Sequence, residues 1–339
     1  MHTIDQLKRP LKDLRLSVID ACNFRCNYCM PAEKFKSNYK FLKKSELLSW
    51  DELFLLTKIF VDFGIEKLRL TGGEPLLRKG LADFIKKVKN ETNIKQIALT
   101  TNGYYLKENA KQLKASGLDR LTVSVDSINE NTFAKLTGQH ETLPIILDGI
   151  KEAINVGFSP IKINAVIQKG INEHEILELA NHFKKKETIL RFIEYMDVGT
   201  INNWDDSKVL FSSDILSQIN EFFPLQPLEA QYYGEVANRY EYTDQSGEIG
   251  FISSISQPFC QNCTRARVTS DGKFYTCLFA SSGVSLRKIL RSHYSDKHIQ
   301  QKLIEKIADS WAKREDRYSE DRHLKHPKQP KTEMYQLGG

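Results

Sequence analysis

Apolar and polar positions along this chain switch repeatedly between two periods. Short runs dense in Leu, Ile and Val predict strands: LRLSVI (14–19), IEKLRLTG (65–72), IKQIALTTN (94–102), LDRLTVSVD (118–126), PIKINAVIQ (160–168) and ILRFIEYMD (189–197). Between them the spacing predicts helices over 50–63, 81–90, 106–117, 142–156 and 173–185. Ser49 supplies a start signal for the first helix, and Gly117 a stop for the third. Six strands alternating with helices are the pattern of parallel βαβ units. Residues from about 200 onward are rich in Tyr, Phe, Pro and Ser and show no second clean alternation. The expected fold is therefore α/β: an incomplete (βα)6 TIM-type barrel over 1–200, with a C-terminal α+β domain over 201–339 closing its open side.

The polar motifs fall in register with this pattern. A cysteine-rich loop follows the first strand, GGEP (72–75) the second and TTN (100–102) the third. SVD (124–126) ends the fourth strand, Asn164 lies late in the fifth, and Met196 ends the sixth. Carboxyl ends of consecutive parallel strands form the face where barrel enzymes build their sites. Six motifs in register point to one shared site.

Composition narrows the class. Of 339 residues, 40% are apolar and 27% charged, which suits a globular protein with a substantial core. No apolar run is long enough to suggest a membrane span, and the charged start MHTIDQLKRPLKDLRL does not read as a signal peptide, so a cytoplasmic location is expected. The net charge of +6 first suggests a nucleic-acid binder. Residues 1–286, however, carry 36 basic and 35 acidic side chains, and the excess sits in 287–331, with 13 against seven. No nucleic-acid partner is expected.

The six cysteines form two groups of three, Cys22, Cys26, Cys29 and Cys260, Cys263, Cys277. Pairing within either group would leave one thiol over. Three thiolates of the first group, spaced C-x3-C-x2-C, can converge on one metal centre. Structural zinc and a [4Fe–4S] cluster both normally take four protein ligands. A distant His completing a zinc site and a cluster with one open iron both stay open on spacing alone. The second group, C-x2-C-x13-C, poses the same choice, and zinc is a stronger rival there. Thr264-Arg265-Ala266-Arg267 lies between its second and third cysteines. In extended chain the two arginines share a face and suit phosphate oxygens.

C-x3-C-x2-C after the first strand of a parallel barrel resembles the radical S-adenosylmethionine (SAM) superfamily. The fuller set of CNFRCNYCM, RLTGGEP, LTTNG, SVDS, RFIEYMDVG, FCQNCTRARVTSDGKFYTCLF and a terminal Gly-Gly resembles its GTP 3′,8-cyclase family, from about Arg9 to Gly339. The resemblance implies two [4Fe–4S] clusters, on Cys22, Cys26, Cys29 and on Cys260, Cys263, Cys277. It implies SAM contacts by Tyr28, Gly73, Ser124 and Met196, and GTP contacts by Arg15, Arg69, Thr100, Lys162, Arg265 and Arg267, with Arg191 a further candidate. The guanine base would face the open iron of the second cluster, and Gly338-Gly339 would reach the active site.

The activity so implied is radical cyclisation of GTP to 3′,8-cyclo-7,8-dihydro-GTP, an early step of molybdenum cofactor biosynthesis. Its partners would be GTP and a one-electron donor protein, in a monomer or homodimer. Two rivals share parts of the pattern. Another radical SAM enzyme with an auxiliary cluster, such as a peptide-modifying one, would lack TRAR and the Gly-Gly tail. A zinc-binding, nucleic-acid-interacting protein would use both cysteine groups structurally.

Overall fold

The computed structural model describes residues 3–322 and 331–338. Its centre is one sheet of twelve strands. They are β1 (Asp13–Ile19), β2 (Lys67–Gly72), β3 (Gln96–Thr101), β4 (Arg120–Ser124), β5 (Ile161–Ile167), β6 (Thr188–Glu194), β7 (Leu225–Leu228), β8 (Asn238–Tyr242), β9 (Glu248–Ile252), β10 (Arg265–Val268), β11 (Lys273–Tyr275) and β12 (Val284–Ser285). The spatial order is β12-β11-β10-β1-β2-β3-β4-β5-β6-β9-β8-β7. From β10 through β1–β6 to β9 every pairing is parallel. The two ends are antiparallel hairpins, and no pairing among the described residues closes the sheet.

The six expected strands are all present, and the polypeptide beyond residue 200 supplies two more parallel ones, β9 and β10. They lie on opposite sides of the six-strand series. Their shortness, five and four residues, hides them from a search for helix–strand alternation. The connecting helices are α1 (Trp50–Asp62), α2 (Leu81–Glu91), α3 (Leu106–Ala115), α4 (Glu130–Thr137), α5 (Leu143–Asn155) and α6 (Ile176–His182). They are followed by α7 (Ser212–Phe222), the short α8 (Arg287–Leu290), α9 (Asp296–Ala312) and the short α10 (Met334–Leu337). Where one helix was expected between the fourth and fifth strands there are two, because Asn129 caps α4 through the amides of Asn131 and Thr132 and Gly138 ends it in left-handed backbone. The helix expected over 173–185 is a 3-10 turn at 173–175 followed by α6.

Side chains sort by period. On β5, Ile161, Ile163, Ala165 and Ile167 are buried in the apolar core, while Lys162, Asn164 and Val166 occupy the opposite face. Ser49 closes a capping box on α1: the Glu52 amide donates to its hydroxyl at 3.1 Å, and its own amide donates to the Glu52 carboxylate at 2.6 Å. Ile299, Leu303, Ile307 and Trp311 of α9, each four residues apart, enter the same core, and the Trp311 indole donates to the Arg9 carbonyl at 3.2 Å. The two ends of the chain are thereby joined.

Candidate active site

Strand register builds the floor of the site. Arg15 on β1 stands opposite Arg69 of β2 and Arg267 of β10, and Asp13 stands opposite Lys67 and Arg265. Two rows of mostly cationic side chains therefore cross three neighbouring strands. Asn164 and Arg191 are similarly paired across β5 and β6, and an Arg191 Nη donates to the Asn164 amide oxygen at 2.5 Å. Arg15, Arg69, Arg191, Arg265 and Arg267 all line one deep cavity inside the curved sheet, together with Thr100, Tyr28, Gly73, Ser124, Met196 and all six cysteines. Lys162 is outside that lining. It shares the face of Asn164, one step nearer the start of β5, among Arg191, Lys67 and Arg69.

The arginines sit within the strands, Arg15 in β1, Arg69 in β2, Arg191 in β6 and Arg265 and Arg267 in β10. Burial makes that costly. Burial together with Arg267, Arg69 and Arg265 pulls the Arg15 guanidinium well below its usual range. Burial and Arg69 take Arg191 down to about 9, and burial and Arg265 take Arg267 to about 10. Lys162, buried among the same cations, falls to about 6. Two buried nitrogens, Nε of Arg15 and Nε of Arg191, have no hydrogen-bond partner. A buried cation cluster with unmet donors is built for a polyanion. Arg69 is better satisfied, donating to the hydroxyls of Thr100 at 3.0 Å and Thr122 at 3.2 Å.

The two cysteine groups mark opposite ends of this belt. Cys263 lies two residues before Arg265, which is level with the start of β1, whereas the first triplet follows the end of β1. Along a strand the intervening seven residues span about 20 Å. A register shift between Ser17 and Ile19 turns the chain into the first loop. Gly72 and Gly73 let the next turn press against that loop: a Cβ on Gly72 would strike the Ile19 carbonyl and one on Gly73 the Ala21 carbonyl. The Gly73 and Glu74 amides donate to those same carbonyls at 2.8 and 2.9 Å. The glycines thus serve the close approach of two backbones, and Gly73 also faces the cavity. Glu74, fully buried, fixes the third motif by accepting from the Thr101 hydroxyl at 2.8 Å and the Asn102 amide at 2.7 Å.

All six cysteines are free thiols. Burial pushes Cys22 and Cys277 up to about 12 and raises Cys26 and Cys29 as well. Burial also opposes ionisation of Cys263, but Arg265 and Arg314 outweigh it and bring that thiol down to about 6. Donors already point at the sulfurs: the Phe24 amide at Cys22 (3.4 Å), an Arg265 Nη at Cys263 (3.4 Å) and the Phe279 amide at Cys277 (3.5 Å). Among the described residues, no three His, Cys, Asp or Glu side chains gather closely enough to hold a single metal ion. Each triplet brings three thiols to the cavity, and the N–H···S donors at Cys22 in one and at Cys263 and Cys277 in the other suit thiolate ligands of an iron–sulfur cluster.

Several supporting contacts of the site were not among those expected from the sequence. Tyr28 donates to Asp126 at 2.7 Å, and Asp126 also accepts the Val166 amide at 2.8 Å. Around the second triplet, Arg9 donates to the carbonyls of Cys260 (2.7 Å) and Asp316 (2.8 Å), and Arg314 to that of Cys263 (2.7 Å). Asp5, nearly fully buried, accepts from both arginines. These groups lie more than 50 or 250 residues from the cysteines they support, and no local motif signals them. Of the expected tail, Gly338 is described and meets an arginine of the cavity. Arg267 donates to the Gly338 carbonyl at 2.7 Å, and the Ser17 hydroxyl donates to the Gln336 carbonyl at 2.7 Å. Gly339 and most of the basic run 325–331 lie outside the described residues.

A parallel strand series with a three-cysteine loop after its first strand defines a radical SAM protein. The sequence model of the Radical SAM superfamily matches residues 16–183, and that of Molybdenum Cofactor Synthesis C matches residues 188–320. A "GTP 3′,8-cyclase" of Staphylococcus haemolyticus is 42% identical over 99% of this chain and 98% of its own length; one of Acidothermus cellulolyticus is 44% identical with the same coverage. This chain belongs to the GTP 3′,8-cyclase family of radical SAM enzymes. Among solved structures it resembles the FeFe-hydrogenase maturase HydG from Carboxydothermus hydrogenoformans (TM-score 0.50, 16% identity, 89% of this chain and 67% of that one). It also resembles a histidine-tagged anSMEcpe with bound AdoMet (TM-score 0.50, 17% identity, 63% and 58%). Both likenesses concern the fold. Membership in the superfamily brings one [4Fe–4S] cluster and SAM as cofactors. No helix among the described residues is long and apolar enough to cross a membrane.

Proposed function

We propose that this chain is the lyase that cyclises GTP to 3′,8-cyclo-7,8-dihydroguanosine 5′-triphosphate, an early step of molybdenum cofactor biosynthesis. The observation that carries this reading is a buried arginine belt lying between two cysteine triplets in one cavity. Such a cavity can hold a nucleotide triphosphate within reach of two redox centres. Cys22, Cys26 and Cys29 would hold the cluster that, once reduced, cleaves SAM to the radical that takes the ribose H3′.

This chain's own residues then have distinct tasks. Tyr28, Gly73, Ser124 and Met196 hold SAM at the carboxyl ends of the strands. Arg15, Arg69, Thr100, Lys162, Arg191, Arg265 and Arg267 receive GTP, and their low-dielectric setting spares the contacts much of the screening by salt. Cys260, Cys263 and Cys277 would hold a second [4Fe–4S] cluster, which with only three protein ligands would leave one iron free for the guanine base. Residues 1–200 contribute the SAM half and 201–339 the second triplet and tail. The glycine-rich tail would reach the active site, and a closed cavity protects the radical from water. We take the enzyme to act in the cytoplasm, as a monomer or homodimer, with a protein electron donor and no nucleic acid.

The test is anaerobic incubation with GTP, SAM and dithionite. The expected products are 5′-deoxyadenosine and the cyclised nucleotide together. Formation of 5′-deoxyadenosine with no cyclised product overturns the reading. Cys260→Ala is expected to keep SAM cleavage while losing cyclisation and the second iron centre.

A further inference from the structure

An electron must enter this cavity from outside, and the wall beside the first cysteine triplet has an unusual build. Residues 31–46, PAEKFKSNYKFLKKSE, follow directly on that triplet without regular helix or strand. They carry five lysines, Lys34, Lys36, Lys40, Lys43 and Lys44, against two glutamates, and all five lysines are exposed. None of the five forms an ion pair among the described residues. The other basic region behaves differently. Arg291 pairs with Glu52, Arg314 with Asp5, Arg317 with Glu320, and Arg322 and Lys331 with Asp197. Part of the charge beyond residue 287 is thus met inside the molecule, whereas the loop by the first triplet carries five exposed lysines within eleven residues, none of them in an ion pair among the described residues.

Beneath the lysines lies a small apolar cluster separate from the main core. Met30, Phe35 and Tyr335 form it, with Cys22, Cys29 and Phe41 packed against it. Tyr335 lines the cavity, and its hydroxyl is 2.9 Å from that of Tyr39. The Phe35 ring lies 4.5 Å from that of Tyr39 and 5.2 Å from that of Tyr335. Tyr39 itself is 37% exposed, in the middle of the lysines. Packed aromatic groups therefore run from the apolar cluster that holds Cys29 to a surface tyrosine flanked in the chain by exposed lysines.

We propose that residues 31–46 are the docking face for an acidic one-electron carrier protein, with Tyr39, Phe35 and Tyr335 as the packed route to the first triplet. The proposal rests on the radical SAM reading above, since only that chemistry calls for a single electron here. In the transfer the carrier is oxidised by one electron and the centre held by Cys22, Cys26 and Cys29 is reduced by one, with no bond or proton moved. Unpaired lysines steer an acidic partner and set its orientation, and their effect falls with salt. A nucleic acid would need open aromatic faces for base stacking. Here the Phe35 ring is buried and packs edge-on against Tyr335.

The probe is an acidic flavodoxin, titrated onto the full-length protein at low and high ionic strength and followed by flavin fluorescence. Lys34→Glu combined with Lys36→Glu and Lys40→Glu is expected to raise its Kd about tenfold or more at low salt. A control pair elsewhere, Lys288→Glu with Lys297→Glu, is expected to change it less than about twofold. Formation of 5′-deoxyadenosine driven by dithionite should be the same in all three proteins, which shows that the site is intact. Tyr39→Leu should leave binding nearly unchanged while slowing reduction by the flavodoxin. Wild-type affinity in the triple variant, equal loss in the control pair, or a loss confined to binding of a DNA 20-mer would each overturn the proposal. Failure of the wild-type protein to cyclise GTP with dithionite counts instead against the proposed function, because it bypasses the carrier.

Discussion

At the scale of single residues, the cost of burying cations is the most instructive feature. Lys162, lowered to about 6 by burial and by Arg191, Lys67 and Arg69, is mostly neutral at pH 7.5 in the free protein. A bound triphosphate favours the charged form and raises that value, so binding draws in a proton. GTP titration calorimetry at pH 7.5, repeated in buffers of different ionisation enthalpy, should show net proton uptake. Lys162→Met should abolish much of it and weaken binding. Gly73 makes a second case: any Cβ there meets the Ala21 carbonyl. Gly73→Ala is expected to displace the first cysteine loop, with iron content per chain falling and SAM binding weakened. Both residues were legible in the sequence as candidate contacts. Gly73 reads there as a SAM contact, and much of its need for glycine comes in addition from backbone packing. Arg9, Arg314 and Asp5 were not legible as site residues, because the support they give to Cys260 and Cys263 spans distant parts of the chain. Asp5→Asn leaves two buried guanidiniums short of a counter-charge, a loss of about 3–5 kcal/mol when a buried pair is broken. If Cys260, Cys263 and Cys277 hold the proposed second cluster, that centre should be lost on gentle purification while the first is retained, as counted by iron analysis of the wild-type and variant proteins.

At the scale of elements, the C-terminal tail behaves as one docked unit. Lys331 reaches Asp197 at 2.6 Å, Glu333 accepts from the amide (2.9 Å) and hydroxyl (3.0 Å) of Thr200, and Gly338 ends the described chain against Arg267. Asp197 directly follows Met196, so the loop after β6 serves both the expected SAM contact and the tail. Gly338 has φ +72°, and a Cβ on it would strike the Thr71 side chain. Gly338→Ala is therefore expected to lift the tail from its seat. Cyclisation should drop about a hundredfold, the size of effect that follows misplaced reacting groups, while 5′-deoxyadenosine continues to form. The ratio of the two products measures that uncoupling directly. The terminal Gly-Gly was visible in the sequence as a candidate. Its anchor points were not, since Asp197, Thr200 and Ser17 carry no local sign of pairing with residues more than 130 positions away.

At the scale of the whole molecule, the sheet decides how the halves depend on each other. β10 and β9 pair with β1 and β6, so removing 201–339 would expose two long parallel edges lined with buried apolar residues. A fragment of residues 1–200 is expected to aggregate or lack fixed tertiary packing, as near-ultraviolet circular dichroism would reveal. The strand–helix alternation, the parallel barrel class and both cysteine triplets follow from the sequence alone, because period, turn chemistry and short ligand spacing are all local properties. The cationic residue types were also there to be read. Their arrangement was decided by tertiary structure: only strand register brings Arg69, Arg15 and Arg267 into one row, and only the return of β10 beside β1 sets the second triplet at the far end of the same cavity. Burial then gives those side chains their shifted acidities. Local pattern specifies elements, whereas long-range pairing and exclusion of water make the site.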